Sequence, residues 1–193
     1  MSLRTLNMML LPLVLLLGAC GTTLKPAEIG DTGYFETRTQ LKSEDVNIHE
    51  PFNPEFKGLL YVKIDESNER FNTFFIEMFR NMNEFESVVN KSDLEALVLE
   101  KGVAEEVRNV SDRIGLNSLA NQIGPFLVVE PHAEHEGAYT FTAKLTAFDP
   151  SSGRNILELT NEAINWDGLD KPLFYPLFNA FLDWVRGNEI QTE

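Results

Sequence analysis

The sequence contains a single cysteine, Cys20, so no disulfide can form within the chain. A domain without disulfides has to be stabilised by the packing of its apolar side chains. The sequence supplies such side chains, because 14 phenylalanines occur among its 193 residues and all of them follow Cys20. We therefore expect the part of the chain after Cys20 to fold around a core rich in aromatic rings.

A short apolar run precedes this cysteine. Arg4 is followed by apolar residues from Met8 to Leu17, a run well short of the ~20 residues that a membrane-spanning helix needs. A charged start, a short apolar run and small residues before a cleavage point are the three regions of a secretory signal peptide. The pattern predicts that residues 1–19 are a leader removed from the mature protein.

The four residues Leu17-Gly18-Ala19-Cys20 resemble the lipobox of bacterial lipoproteins. The resemblance implies cleavage before Cys20, a diacylglyceryl group on its thiol and acylation of its new amino group. Several acyl chains on one residue would anchor durably, whereas one chain binds a membrane only marginally. Gly21 stands where an aspartate would imply retention in the inner membrane, so the resemblance implies the outer membrane. An unmodified thiol in an ordinary signal peptide is the alternative.

The chain is acidic, with 30 Asp and Glu against 16 Lys and Arg and a formal net charge of −14. Nucleic-acid binding needs clustered basic side chains to neutralise phosphates. Attraction to anionic lipid head groups needs a basic segment as well. The composition therefore argues against both ligands and leaves membrane attachment to the lipid on Cys20.

The chain divides into four parts. Residues 1–19 are the leader, 20–55 a lipidated N-terminus and tether, 56–188 one α/β domain in the periplasm, and 189–193 a tail. The tether is predicted because its prolines, glycines and charges show no sustained period, although Tyr34 to Thr39 could add an edge strand. Fully extended, it would reach on the order of 115 Å at ~3.3 Å per residue.

Hydrophobic periodicity predicts the elements of the domain. Strands are expected over 58–64, 85–90, 126–130, 139–148 and 155–163. A first helix begins near Ser67 or Asn68 and a second near Ser92 or Asp93, with further helical pieces over 103–123. The first helix and the C-terminal helix each have an apolar stripe: Phe71, Phe74, Phe75, Met78, Phe79 and Met82 in the first, and Leu173, Leu177, Phe178, Phe181, Trp184 and Val185 in the last.

The predicted fold is α/β (α+β), with a mixed five-stranded sheet in the order β-α-β-α-β-β-β-α. Helices connect the first three strands, which can therefore run parallel. Hairpins connect the last three strands, which should therefore run antiparallel. Helices are expected on one face of this sheet or on both.

The segment from Phe85 to Gly102 reads FESVVNKSDLEALVLEKG. Its strand and its Lys91-Ser92-Asp93-Leu94 helix start resemble a group of periplasmic lipoprotein domains. That group includes the curli secretion channel, the TolB N-terminal domain and the lipoprotein activators of penicillin-binding proteins. The strand over 124–130 and the hairpin over 139–159 resemble the same pattern, so the likeness covers about 57–187. It implies a role in assembly or regulation at the outer membrane.

One cluster has residue types that bind metals, His132-Ala133-Glu134-His135-Glu136. On a strand, His132 and Glu134 share a face, whereas His135 joins them only through a turn. A zinc site needs three or four convergent ligands, so a polar hairpin tip before Gly137 is the preferred interpretation. Neither a metal nor a cofactor is predicted, and no catalytic motif occurs. The carboxylate pairs Asp65-Glu66 and Glu105-Glu106 are interpreted as solvated.

These observations favour a non-catalytic interaction or assembly module of the cell envelope. Its expected partners are the membrane, through Cys20, and an envelope protein. An enzyme with a dispersed site, using His132, His135 and nearby carboxylates, is one alternative. A carrier of a small ligand or lipid is another, because the phenylalanines would permit a cavity.

Overall fold

The computed structural model describes residues 24–64, 69–137, 139–164 and 170–193. Cys20, the leader, the carboxylate pair at 65–66 and the two predicted caps of the first helix lie outside these residues. Within them the chain forms four α-helices and one six-stranded sheet. The strands are β1 (Val46–His49), β2 (Leu60–Val62), β3 (Val88–Val89), β4 (Leu127–Gly137), β5 (Thr140–Asp149) and β6 (Arg154–Ile164), and the helices are α1 (Glu69–Asn81), α2 (Lys91–Glu100), α3 (Arg113–Ile123) and α4 (Tyr175–Arg186).

The strand order across the sheet is β1-β6-β5-β4-β2-β3. Strand β2 pairs in parallel with both β3 and β4. Strands β4, β5 and β6 form an antiparallel meander. The α+β class and the predicted division into a parallel and an antiparallel half are therefore confirmed.

The sheet has one strand more than the five predicted. The additional strand β1 pairs antiparallel with β6, with Val46 opposite Leu159 and Ile48 opposite Glu158. It is only four residues long, so its alternation was too short to stand out in the sequence. The edge strand expected from Tyr34 to Thr39 is wrong, because that segment has no strand structure and Phe35 is buried instead.

Helices α1 and α4 pack together on one face of the sheet, and their two predicted apolar stripes form the main core. Phe75 contacts Phe174 edge to face with ring centroids 5.1 Å apart, and Phe79 contacts Phe181 in the same way at 5.3 Å. Such aromatic pairs add ~1 kcal/mol beyond the area that they bury. The stripe on α1 is therefore core, as its spacing indicates.

Helices α2 and α3 cover the other face of β2, β3 and the start of β4. Asn90 caps α2, because its side chain accepts from the Asp93 N–H at 2.9 Å. The cap lies two or three residues before the predicted Ser92 or Asp93. Asp112 caps α3 in the same way by accepting from the Gly115 N–H. The segment before this cap, expected to be helical from 103, forms turns.

Helix α4 is buried almost all round, which is unusual for a helix that lies on one face of a sheet. Ten of its twelve residues are buried, including the polar Asp183. Pro176 lies in its first turn, and Gly187 ends it with a φ of +73°. Since α1 and the sheet cover only part of its circumference, another segment has to cover the rest.

That segment is the N-terminal strap, defined here as residues 24–42. Phe35 is only 2% exposed and contacts Tyr175 and Phe178 of α4. Its backbone N–H donates to the Asn179 side chain at 2.9 Å, and the Asn179 amide donates to the Phe35 carbonyl at 2.9 Å. Residues from Leu24 onward, which the sequence assigned to the tether, thus lie against the domain.

The strap and the segment that follows α4 meet at the buried carboxylate of Asp183. The Tyr34 hydroxyl donates to Asp183 at 2.6 Å, and the Gln191 N–H donates to its other oxygen at 3.3 Å. The hydrogen bond to Asp183, together with burial, raises the pKa of Tyr34. A bridge between Leu41 and Thr192 fixes the C-terminal tail beside the end of the strap.

Replacing Phe35 with alanine tests the docking of the strap. We expect Phe35→Ala to lower the free energy of unfolding by about 3 kcal/mol, because a buried phenylalanine leaves a cavity when truncated. Urea unfolding of the chain from residue 21 would measure this. Arg38→Ala, at an exposed strap residue, is the control and should change stability by less than ~0.5 kcal/mol. Equal, small effects of both would show that the strap is undocked.

Glu84 predicts an acid-sensitive part of the stability. Burial alone raises its pKa, but hydrogen bonds and charge from Arg186 and Lys57 outweigh burial and lower the pKa below its usual 4.5. A lowered pKa in the folded state stabilises the protein above the unfolded pKa, and this stability is lost as pH falls. Glu84→Gln should therefore cost about 1 kcal/mol at pH 7, and its difference from the wild type should shrink as pH falls below 4.5 and Glu84 becomes protonated.

Unfolding curves at pH 7, 5 and 3.5 would measure this difference. Glu86→Gln, at a neighbouring exposed carboxylate, is the matched control and should show no such trend. A Glu84→Gln deficit that stays constant across the three pH values would contradict the assignment.

Candidate functional site: the open face of the sheet

The face of the sheet that carries α2 and α3 is only half covered. Their core reaches Val128 of β4 and Phe148 of β5. Beyond these two residues, β4, β5 and β6 continue and present polar side chains on the same face. This open face comprises Glu130, His132, Glu134, Thr142, Lys144, Thr146, Glu158, Thr160 and Glu162.

The strand register aligns these side chains in rows across the three strands. Thr146 lies opposite both Glu130 and Glu158, and Lys144 lies opposite both His132 and Thr160. Directly opposed residues on one face of a sheet are about 5 Å apart at Cβ. The open face is therefore a surface of interleaved charged and hydroxyl groups.

Two ion pairs stabilise the charges of this face. Lys63, just after β2, donates to Glu130 at 2.7 Å, and Lys144 donates diagonally to Glu158 at 2.8 Å. All four side chains remain between 19% and 41% exposed. Ion pairs in contact with water contribute little to stability, so these groups are free to exchange partners at low cost.

Arg113, in the first turn of α3, borders the open face and has a different environment. Its guanidinium lies 4.3 Å from the centre of the Phe148 ring and donates to the Asn155 side-chain oxygen at 2.7 Å. No carboxylate among the described residues forms an ion pair with it. An arginine placed on a ring and oriented by an amide presents its remaining donors to an anion.

A groove of about 550 Å³ lies between Arg113 and the strands. Its lining brings three cationic side chains together, Lys63, Arg113 and Lys144, beside the ring of His132. Glu130 is the carboxylate that faces them. We call this groove the basic groove, although Glu130 pairs with Lys63 and Glu158 with Lys144, so that in a chain with a net charge of −14 its excess positive charge comes from Arg113.

The predicted His-Glu cluster is divided by the strand that carries it. His132 and Glu134 share the open face, with Nε2 and Oε1 2.8 Å apart. His135 faces the other way and stacks near Phe141, with ring centroids 4.7 Å apart. The expectation of a hairpin tip is wrong, because all five residues belong to β4. Across the described ranges no three potential metal ligands converge.

The remaining carboxylate pair that the structure describes, Glu105-Glu106, lies exposed in the turns before α3.

A second groove, of about 580 Å³, lies between the strap and α4. Its lining exposes more apolar than polar surface and includes the carboxylates of Asp31, Glu36 and Asp183. The α1 phenylalanines line neither groove, because they pack against α4. The stripe of α1 therefore serves the core and not a groove.

The sequence analysis identified His132 on this face but missed Lys63, Arg113 and Lys144. A signal was available for Lys144, because charged and hydroxyl residues alternate with apolar ones along β5 and β6. Such alternation marks a strand with one solvated face. Lys63 and Arg113 join the site only through the fold, since 50 residues separate them in sequence.

No family model matches the chain, and the search of curated proteins found no match. Among solved structures, the chain is similar to the C-terminal domain of LpoB from Salmonella enterica, at 14% identity and a TM-score of 0.37, over 56% of this chain and 84% of that one. It is similar to the same domain from Escherichia coli at 15% identity and a TM-score of 0.38, over 55% of this chain and 82% of that one. It is also similar to lipoprotein GNA1162 from Neisseria meningitidis, at 16% identity and a TM-score of 0.34, over 57% of this chain and 82% of that one.

At these identities the similarity describes the fold, and function has to be inferred from this chain's own residues. The search for membrane spans, made over the described residues, found no helix with the length and apolar character to cross a bilayer.

The ion pairs of the open face should be dispensable for folding. Lys144→Gln should lower the free energy of unfolding by less than ~1 kcal/mol, because the lysine side chain is 41% exposed and its pair is solvated. Urea unfolding at pH 7 is the measurement. A cost above ~2 kcal/mol would mean that the pair supports the fold and would remove the reason to treat it as a binding surface.

Proposed function

We propose that the chain is an outer-membrane lipoprotein of the cell envelope, lipidated at Cys20, whose periplasmic domain acts as a non-catalytic interaction module. The leader and the Leu17–Cys20 sequence support the anchor. The open face of the sheet supports the interaction, and it is the observation that carries the proposal. It is a broad, polar and only partly covered surface on a rigid scaffold.

The chemistry of this face favours an anionic group on the partner. Arg113 has no carboxylate partner among the described residues, and Lys63 and Lys144 are held by exposed ion pairs that a partner's carboxylate could replace. An arginine binds a carboxylate through two parallel hydrogen bonds. The partner is therefore an envelope protein that presents Asp or Glu side chains to the basic groove.

The arrangement of the histidines does not favour an enzyme. The enzymatic alternative needs His132 and His135 to act together, and they lie on opposite faces of β4. His132 is exposed and hydrogen-bonds only Glu134 within the described chain. General acid–base chemistry requires both groups within hydrogen-bond reach of the reacting atoms, and two side chains on opposite faces of one strand do not converge in this way.

Replacing Cys20 with serine tests the anchor. We expect Cys20→Ser to abolish acylation and to release the protein from the membrane fraction, while the domain still folds, because the described core does not use Cys20. Intact-mass spectrometry and membrane fractionation would measure this, with circular dichroism to report folding. Unchanged membrane attachment of an unacylated Cys20→Ser protein would contradict the proposal.

Charge reversal in the basic groove tests the open face. A photo-crosslinker at Thr160 should capture a specific envelope protein in intact cells, and the double variant Arg113→Glu with Lys144→Glu should reduce that product at least tenfold. Reversal of two charges opposes an acidic partner. The matched control reverses Lys101 and Arg108, two exposed cations outside the groove. Equal loss in both double variants would overturn the assignment of this face.

A further inference from the structure

The path of the strap determines where a lipid on Cys20 attaches to the domain. Ala27 lies beside the C-terminal end of α1, where its N–H contacts the Met78 sulfur at 3.2 Å and its carbonyl accepts from the Asn81 amide at 2.9 Å. Leu24, three residues earlier, already packs on the main core. The chain therefore enters the domain at the end of α1.

Little free chain remains between this entry point and Cys20. Four residues of fully extended chain span at most about 14 Å. A lipid on Cys20 would consequently hold the C-terminal end of α1 within roughly one helix diameter of the head groups. This distance contrasts with the ~115 Å that an undocked tether over 20–55 would allow.

The strap then runs away from this end along α4. The Gly33 carbonyl accepts from Arg186 at the C-terminal end of α4, and Thr37 reaches the Lys171 carbonyl before its N-terminus. Phe75 and Phe79 of α1 contact Phe174 and Phe181 respectively, so α1 and α4 run parallel. The C-terminal ends of both helices thus lie together where the strap enters.

The sheet topology fixes what lies at the opposite end. Lys57, three residues before β2, pairs with Glu84, three residues after α1, so the end of α1 lies near the beginning of β2. Strand β4 runs parallel to β2 from the same level, with Leu60 opposite Leu127. It then extends ten residues further, to Gly137, or roughly 30 Å at 3.3 Å per residue.

From this geometry we propose that the domain stands on the membrane surface in one orientation. This inference rests on the proposed lipidation of Cys20. The end that contains Lys57, Glu84 and Glu86 faces the phospholipid head groups and is called the anchor end. The hairpin between β4 and β5 points away from the bilayer and is called the far end. Lys63, His132 and Lys144 lie beyond the C-terminal end of β2, toward the far end, so the basic groove is held away from the head groups and opens to the side of the domain.

Paired labels at the two ends test this orientation. Glu86 and Glu136 are both exposed glutamates, one at the anchor end and one near the far end. Lipidation consumes the thiol of Cys20, so Glu86→Cys or Glu136→Cys introduces the sole free thiol for a fluorescent donor. The lipidated variants would be reconstituted in phosphatidylethanolamine and phosphatidylglycerol vesicles that carry an acceptor on their head groups.

We expect at least threefold more energy transfer from the label at residue 86 than from the label at residue 136. An insert of about twenty Gly and Ser residues after Thr23 frees the domain from the surface, and it should make the two labels equal. Equal transfer without the insert, or greater transfer from residue 136, would overturn the orientation. Intact mass is recorded for each sample, and absence of the lipid would instead contradict the proposed anchor at Cys20.

Discussion

The structure depends on the burial of α4 from every side. Ten of its twelve residues are buried, and a helix that is apolar around its circumference is stable only when neighbours surround it. The sheet and α1 cover one part, and the strap covers the rest by placing Phe35 against Tyr175 and Phe178. The two polar residues on the covered side, Asn179 and Asp183, are satisfied by hydrogen bonds from the strap.

The docking of the strap decides how the remaining surfaces can be used. The strap, α1 and α4 form one layer that covers one face of the sheet. That face is therefore used for core packing. Strand β1 follows the strap and covers the edge of β6, so this edge of the sheet is a strand of only four residues, and a short edge strand offers little backbone for pairing with another chain. The open half of the opposite face is left partly exposed, and Arg113 at its border forms no ion pair with any carboxylate of the described residues.

Periodicity predicted the elements whose burial is one-sided and local. The stripe from Phe71 to Met82 and the alternation along β5 have one dominant period each, and both are confirmed. The strap has no such period, because its contacts lie some 145 residues away at Asn179 and Asp183. The sequence of α4 gave one indication that a further segment packs on it. Ala180 and Leu182 lie outside the predicted stripe, so the helix has hardly any polar face. The basic groove could be predicted only in part, since Lys63 and Arg113 meet through the fold.

The most direct test of this account is amide hydrogen exchange at Phe35. Its N–H donates to the Asn179 side chain, so its exchange requires the strap to leave α4. If the strap is part of the cooperative unit, the Phe35 amide should exchange within about tenfold of the rate of the Phe181 amide in α4. NMR measurement on the chain from residue 21 would give both rates. Exchange of Phe35 at the random-coil rate, with Phe181 still protected, would contradict the account.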